Sequence, residues 1–419
     1  MNYLTLDKAE KAKLLEAEQL RMSEYAAKGL KLDMSRGKPS KEQLDISSSL
    51  YMELDPKYGF AGKQDYRNYG LNDGIPEIKK LFAELVGVEE DEIIVAYNAS
   101  LNLMYDAVQR AMQFGIAGEQ PWNRQGNIKW ICPVPGYDRH FSVTELFGIE
   151  MINVPMLADG PDMDKVEELI KDPGVKGMWN VPKYSNPTGV IYSDVVVDRL
   201  AKMRPAAKDF MLMWDNAYMV HALYGQEEQA NIMDLAKKYG NEDMIYGFGS
   251  TSKITFAGAG VSFIYSSKKN IAAIKKFMNI QSIGPDKLSQ LAHYRYLKSV
   301  AGIYELMEKH AELLRPKFEA VAEVLEEELG GTGIATWTKP TGGYFISVDL
   351  YEGTAKRTVE LARQMGVVFT GAGATYPYKR DPKDSNVRIA PSLPPISELI
   401  EATKIFATAA KIAYLEKQV

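Results

Sequence analysis

The chain has 419 residues, 46% hydrophobic and 25% charged, with 50 Lys and Arg against 55 Asp and Glu for a net charge of −5. This is the composition of a folded protein of two to three domains at ~150 residues each, not of a disordered chain, a collagen-like chain or a small disulfide scaffold. No basic excess is left to neutralise a phosphate backbone, so nucleic acid is not an expected partner.

In chain order, residues 1–30 read as a charged amphipathic helix, and Met34-Ser35-Arg36-Gly37-Lys38-Pro39 as a loop. Apolar runs at 92–97, 129–132, 150–154, 177–181, 210–214, 244–248 and 260–265 predict seven strands. Helical patterns lie between several of them, as at 162–171 and 193–203. Strand alternating with helix predicts a mostly parallel sheet covered on both faces. Residues 286–329 read as a long charged helix, with Pro316 as a break or kink. Strands near 344–348 and 387–390 and a closing helix from Ile396 follow. The expected organisation is a large domain, 46–300, and a smaller α+β domain built from 1–45 and 301–419.

Cys132 is the one cysteine, so nothing calls for an oxidising compartment. Within Trp130-Ile131-Cys132 it reads as a buried strand thiol. His140, His221, His293 and His310 show no ligand-like spacing, and no metal site is expected. Residues 1–20 carry Glu and Lys throughout, and no run approaches ~18 apolar residues. The expectation is a soluble cytoplasmic protein without a membrane partner.

Five segments can carry chemistry. Asn98-Ala99-Ser100 opens a helix just after a strand, where free N–H groups suit a phosphate or simply make a cap. Asn186-Pro187-Thr188-Gly189 is a turn or a ligand loop. In Trp214-Asp215-Asn216-Ala217-Tyr218, Asp215 ends a very apolar strand. There it caps the next segment or points into the crevice at the sheet's carboxyl edge. Ser250-Thr251-Ser252-Lys253 sets three hydroxyls beside an amine, ahead of Ala257-Gly258-Ala259-Gly260. Arg388, within Asn386-Val387-Arg388-Ile389-Ala390, is expensive to bury without an anion.

No one of these decides a function, but their order does. The set resembles the fold-type I, pyridoxal-phosphate-dependent aminotransferases over nearly the whole chain, from Gly37 to Arg388. Ser35-Arg36-Gly37-Lys38-Pro39-Ser40, Ile254-Thr255-Phe256-Ala257-Gly258-Ala259-Gly260 and Ser282-Ile283-Gly284-Pro285-Asp286-Lys287 look like the divergent aspartate aminotransferase subgroup called Ic. The resemblance implies a large cofactor-binding domain with a mostly parallel seven-stranded sheet between helices, plus the smaller domain. It assigns Lys253 as the Schiff-base lysine and proton shuttle, Asp215 as partner of the pyridinium nitrogen, and Tyr218 and Asn186 as hydrogen-bond partners of the ring's phenolic oxygen. Tyr137 would stack on the ring. Ala99, Ser100, Ser250 and Ser252 would line the phosphate, and Tyr69 would reach the phosphate of the neighbouring subunit in a homodimer. Arg388 would clamp the substrate α-carboxylate, facing the Gly37 N–H, with Asn186 also near the substrate.

One position departs from the family. Most relatives carry an arginine eight residues after the lysine, where this chain has Val261. The implied reaction is transamination between an amino acid, aspartate or glutamate by subgroup, and a 2-oxo acid by a ping-pong mechanism. The alternatives are another reaction of the same cofactor (β-elimination, C–S cleavage or decarboxylation), or an apolar or aromatic amino acid as substrate. Candidate cations for a side-chain carboxylate are Arg36, Lys38, Arg139 and Lys287.

Overall fold

The computed structural model describes residues 1–62 and 64–419. Its large sheet has eight strands, in the order Ile93–Val95, Ser262–Tyr265, Ile245–Ser250, Met211–Asp215, Val175–Asn180, Lys129–Val134, Glu150–Leu157 and Gly160–Pro161. Each of the seven expected strands is present. The eighth, Gly160–Pro161, is a two-residue antiparallel partner of Glu150–Leu157, too short for any periodicity to register. The five strands from Ile245–Ser250 to Glu150–Leu157 run parallel, and Ser262–Tyr265 is antiparallel to both its neighbours.

Successive side chains of a strand point to opposite faces. Ile131, Leu212, Trp214 and Ile245 join the core on one face, and Trp130, Cys132, Met211, Met213 and Tyr246 the core on the other. Both faces are covered, so these strands read as unbroken apolar runs. The helices Ser100–Phe114, Met163–Leu169 and Asp194–Lys202 lie where the sequence predicts them.

Residues 286–329 differ from expectation. They form two helices, Lys287–Leu297 and Val300–Leu329, broken at Lys298, whose φ is +64°, and not at Pro316. An internal proline costs roughly 3 kcal/mol. The second helix buries Ile303, Leu306 and Met307 beside the large sheet and Leu314, Phe318, Val321 and Leu325 in a third core. At ~1.5–3 kcal/mol for each such side chain, packing outweighs the proline.

Both chain ends build the third core. The first helix, Lys8–Ala27, packs on the last, Ile396–Gln418. They enclose an antiparallel sheet of Ala335–Trp337, Ile346–Leu350 and Asn386–Ile389. A two-residue parallel pairing of Leu32–Asp33 with Val367–Val368 carries the loop after Met34 towards the large sheet. Among the described residues, no helix is long and apolar enough to cross a membrane.

Candidate active site

Polar residues stand where the apolar strands stop. Asp215 closes Met211–Asp215, pairs with Phe248 on the next parallel strand and is 2% exposed. One carboxylate oxygen, Oδ2, lies 2.9 Å from His140 Nε2, while Oδ1 is buried without a partner among the described residues. A buried carboxylate oxygen left unpaired is costly, so this atom suits a cationic donor on a ligand. The His140 ring stacks on Trp179, centroids 4.4 Å apart, and meets Tyr137 edge-on at 4.9 Å. Trp179 in turn donates from Nε1 to Thr144 Oγ1 at 3.0 Å, so the acid rests on a packed polar column.

Lys253 follows the strand Ile245–Ser250, with its Nζ 4.9 Å from the centroid of the Tyr218 ring. Burial raises the Tyr218 phenol well above its ordinary pKa, against the opposing charge of Arg388. Burial likewise pushes Tyr137 up to about 12. Both are therefore protonated at neutral pH and can donate. Beneath them the buried His221 places Nε2 3.4 Å from the Lys253 carbonyl oxygen. Burial and then the Lys253 charge push this imidazole down to about 3, so it is neutral.

A hydroxyl cluster flanks the lysine. Ser250 Oγ donates to Ser252 Oγ at 3.1 Å, and Ser252 Oγ lies 3.1 Å from the Asn98 carbonyl oxygen. Ala99 and Ser100 come next in the chain, and Ala99 gives the helix Ser100–Phe114 no side-chain cap, leaving its first N–H groups for a ligand. Gly260 permits this closeness, since a Cβ there would sit 2.8 Å from the Asn98 oxygen. Val261 offers no charge: its side chain is in the core and its N–H donates to Thr251 Oγ1 at 2.9 Å.

Arg388 arrives from the smaller sheet. It is 7% exposed, and its guanidinium donates to Asn186 Oδ1 at 3.0 Å, Asp138 Oδ1 at 3.3 Å and Thr370 Oγ1 at 3.3 Å, with Nε unpaired among the described residues. It lies 4.6 Å from the centroid of Phe345. The Cζ end of that ring faces Gly37, where a Cβ would come within 2.5 Å of Phe345 Cζ. Only a glycine lets the loop pass this close.

Gly37, Tyr137, Asn186, Tyr218, Lys253 and Arg388 line one cavity of about 490 Å³, and Asp215 is tied to its wall through His140. Tyr69 is not brought into it. It is 73% exposed, in a separate depression with Ile283 and Lys287. Of the candidate side-chain cations, Arg36, Lys38 and Arg139 line the cavity and Lys287 does not. The sequence reading missed His140, Asp138, Thr370 and Phe345. His140 and Asp138 had a signal, lying one helical turn after and directly after Tyr137; Thr370 and Phe345 meet the site only through long-range packing.

The family model described as aspartate amino-transferase matches residues 6–419. An aspartate aminotransferase of Corynebacterium glutamicum is 49% identical over 400 residues, covering 94% of this chain and 92% of that protein. The crystal structure of an aspartate transaminase from Corynebacterium glutamicum superposes with a TM-score of 0.97 at 46% identity, covering 100% of both chains. The aspartate aminotransferase of Thermus thermophilus with maleate shares the fold, with a TM-score of 0.71 at 19% identity over 94% of this chain and 96% of that one.

Proposed function

Because this chain belongs to the aspartate aminotransferase family, we propose that it transfers an amino group between a dicarboxylic amino acid, aspartate or glutamate, and a 2-oxo acid, using pyridoxal 5′-phosphate. The observation that carries the dicarboxylate is the charge of the cavity. Among the described residues, five basic ones, Arg36, Lys38, Arg139, Lys253 and Arg388, line it against one carboxylate, that of Asp138. Such a wall concentrates dianions. The relatives named aspartate aminotransferase support the same substrate.

The residues fit the cofactor: a buried unpaired carboxylate oxygen at Asp215, an amine at Lys253, and hydroxyls beside uncapped helix N–H groups. When bound, the cofactor supplies an aldehyde for a covalent link and a ring that withdraws electrons. Lys253 Nζ is the amine for that link and then the base that carries the substrate's Cα proton. Asp215 Oδ1 would hold a proton on the ring nitrogen, with His140 fixing the carboxylate's orientation. Tyr218 and the Asn186 amide would donate to the ring's phenolic oxygen, and Tyr137 would pack against the ring. Ser250, Ser252 and the N–H groups from Ala99 and Ser100 take the phosphate. Arg388 and the Gly37 N–H take the α-carboxylate, an arginine being suited to it by its forked donors.

A panel of amino-acid donors with 2-oxoglutarate tests the substrate. Aspartate and glutamate are expected to give the highest kcat/KM. Leucine or phenylalanine exceeding aspartate tenfold, ~1.4 kcal/mol in transition-state binding, would establish an apolar pocket instead.

We also propose that the working unit is a cytoplasmic homodimer in which Tyr69 serves the partner's phosphate site. Tyr69, Ile280 and Ile283 are 73%, 88% and 63% exposed, and the Gly70 N–H donates to the Ile283 carbonyl at 2.9 Å, so Tyr69 and Ile283 sit on adjoining loops. An exposed apolar cluster of this kind marks a protein interface. Mixing Tyr69→Phe subunits with Lys253→Ala subunits should restore activity in verified heterodimers, since one of the two sites then holds both native residues. Absence of recovery would put Tyr69 in its own subunit's site. Within each subunit we propose the division 46–300 and 1–45 with 301–419, bridged by the helix Val300–Leu329.

A further inference from the structure

The cavity holds more positive charge than one α-carboxylate needs, and its cations are not equivalent. Arg388, held in place by Asn186, Asp138 and Thr370, is the clamp for the α-carboxylate. Lys253 is the reacting amine. Arg36 and Lys38 share the field of Asp33. Against the upward push of partial burial, hydrogen bonds from Ser35 and the charges of Lys38 and Arg36 hold that carboxyl below its usual range. Arg139, like Arg36 and Lys38, has no hydrogen bond or ion pair on its side chain among the described residues, and it differs from them in its place.

Stability does not explain Arg139. It is the second residue of the helix Asp138–Leu146, whose N-cap is Tyr137. A positive charge in a first helical turn works against the helix dipole, and an acid such as Asp138 is the favourable choice there. Arg139 is thus an unpaired cation at a position that disfavours cations, on the rim of an anion-binding cavity. Its location is also informative. Asp138, its neighbour, reaches Arg388 Nη1 at 3.3 Å, and Tyr137 lines the same cavity. A long side chain starting one residue from that contact can meet a second carboxylate while Arg388 holds the first.

We propose that Arg139 recognises the side-chain carboxylate of the dicarboxylic substrate, from within the same subunit that supplies Lys253 and Arg388. This rests on the dicarboxylate reading of the site. The position is exposed, so Arg139→Gln should fold, with circular dichroism and thermal unfolding as the check. In the holoenzyme, the ratio of kcat/KM for aspartate to kcat/KM for alanine should fall at least about a hundredfold in Arg139→Gln and recover in part in Arg139→Lys. Succinate should raise the unfolding temperature of the wild type far more than that of Arg139→Gln, whereas propionate, with one carboxylate, should act alike on both. A ratio unchanged within threefold, or a parallel loss for aspartate and alanine with succinate protection intact, overturns the assignment. A larger fall in Arg36→Gln or Lys38→Gln than in Arg139→Gln also overturns it, by moving the role to that residue. A wild type that prefers leucine or phenylalanine fails differently: it refutes the dicarboxylate reading itself, before any variant is made.

Discussion

Lys253→Ala is expected to lower transamination by at least about a thousandfold, because one amine both holds the cofactor and carries the proton. The Nζ of Lys253 stands over the Tyr218 ring at 4.9 Å, in a wall whose hydroxyls, at Ser250 and Ser252, are fixed without it. The variant should therefore fold and still take up the cofactor, but without a covalent link. In the wild type, borohydride reduction followed by peptide mapping should place the cofactor on Lys253, with an absorbance band in the visible before reduction and none after. A label on any other lysine, such as the nearby Lys38, removes the central assignment of the site.

Asp215→Ala is expected to lower turnover by roughly a hundredfold or more, the scale seen when a preorganised charge partner is deleted from a site. The variant takes away the Oδ1 atom that fits a protonated ring nitrogen and also strands His140 Nε2, now 2.9 Å from its acceptor. Losing that acceptor costs about 1–3 kcal/mol of stability, so the unfolding temperature should drop as well. The two effects separate in Asp215→Asn, which keeps an oxygen for His140 but no charge for the cofactor. Stability should largely return in that variant, and activity should not. Near-normal turnover with full cofactor occupancy in Asp215→Ala would reduce Asp215 to a structural hydrogen-bond acceptor.

The strands, and the polar residues found at their ends, share a simple origin in the sequence. A strand buried on both faces is written as an apolar run, and where the run stops, as at Trp214-Asp215 or Gly249-Ser250, the next polar side chains lie at the sheet's carboxyl edge. Strand positions, sheet type and the location of Asp215, Ser250 and Lys253 follow from that local rule. The closing helix from Ile396 was equally legible, since its pattern is uninterrupted to Gln418.

Other features depended on partners far away in the chain. Pro316 reads as a break until the side chains around it are seen filling two cores. Gly160–Pro161 is a strand only because Met156 and Leu157 lie beside it. Gly37 matters through Phe345, more than 300 residues later, and that no described residue pairs with the Arg139 side chain is decided by the whole fold. Periodicity and turn chemistry act over a few residues, so the sequence by itself determined the strands, their layered arrangement and the residues at their ends. Which cations share the cavity, which acid each one meets and which loop closes on Arg388 were decided by the tertiary structure, because burial and pairing are set by contacts between segments that the chain brings together only on folding.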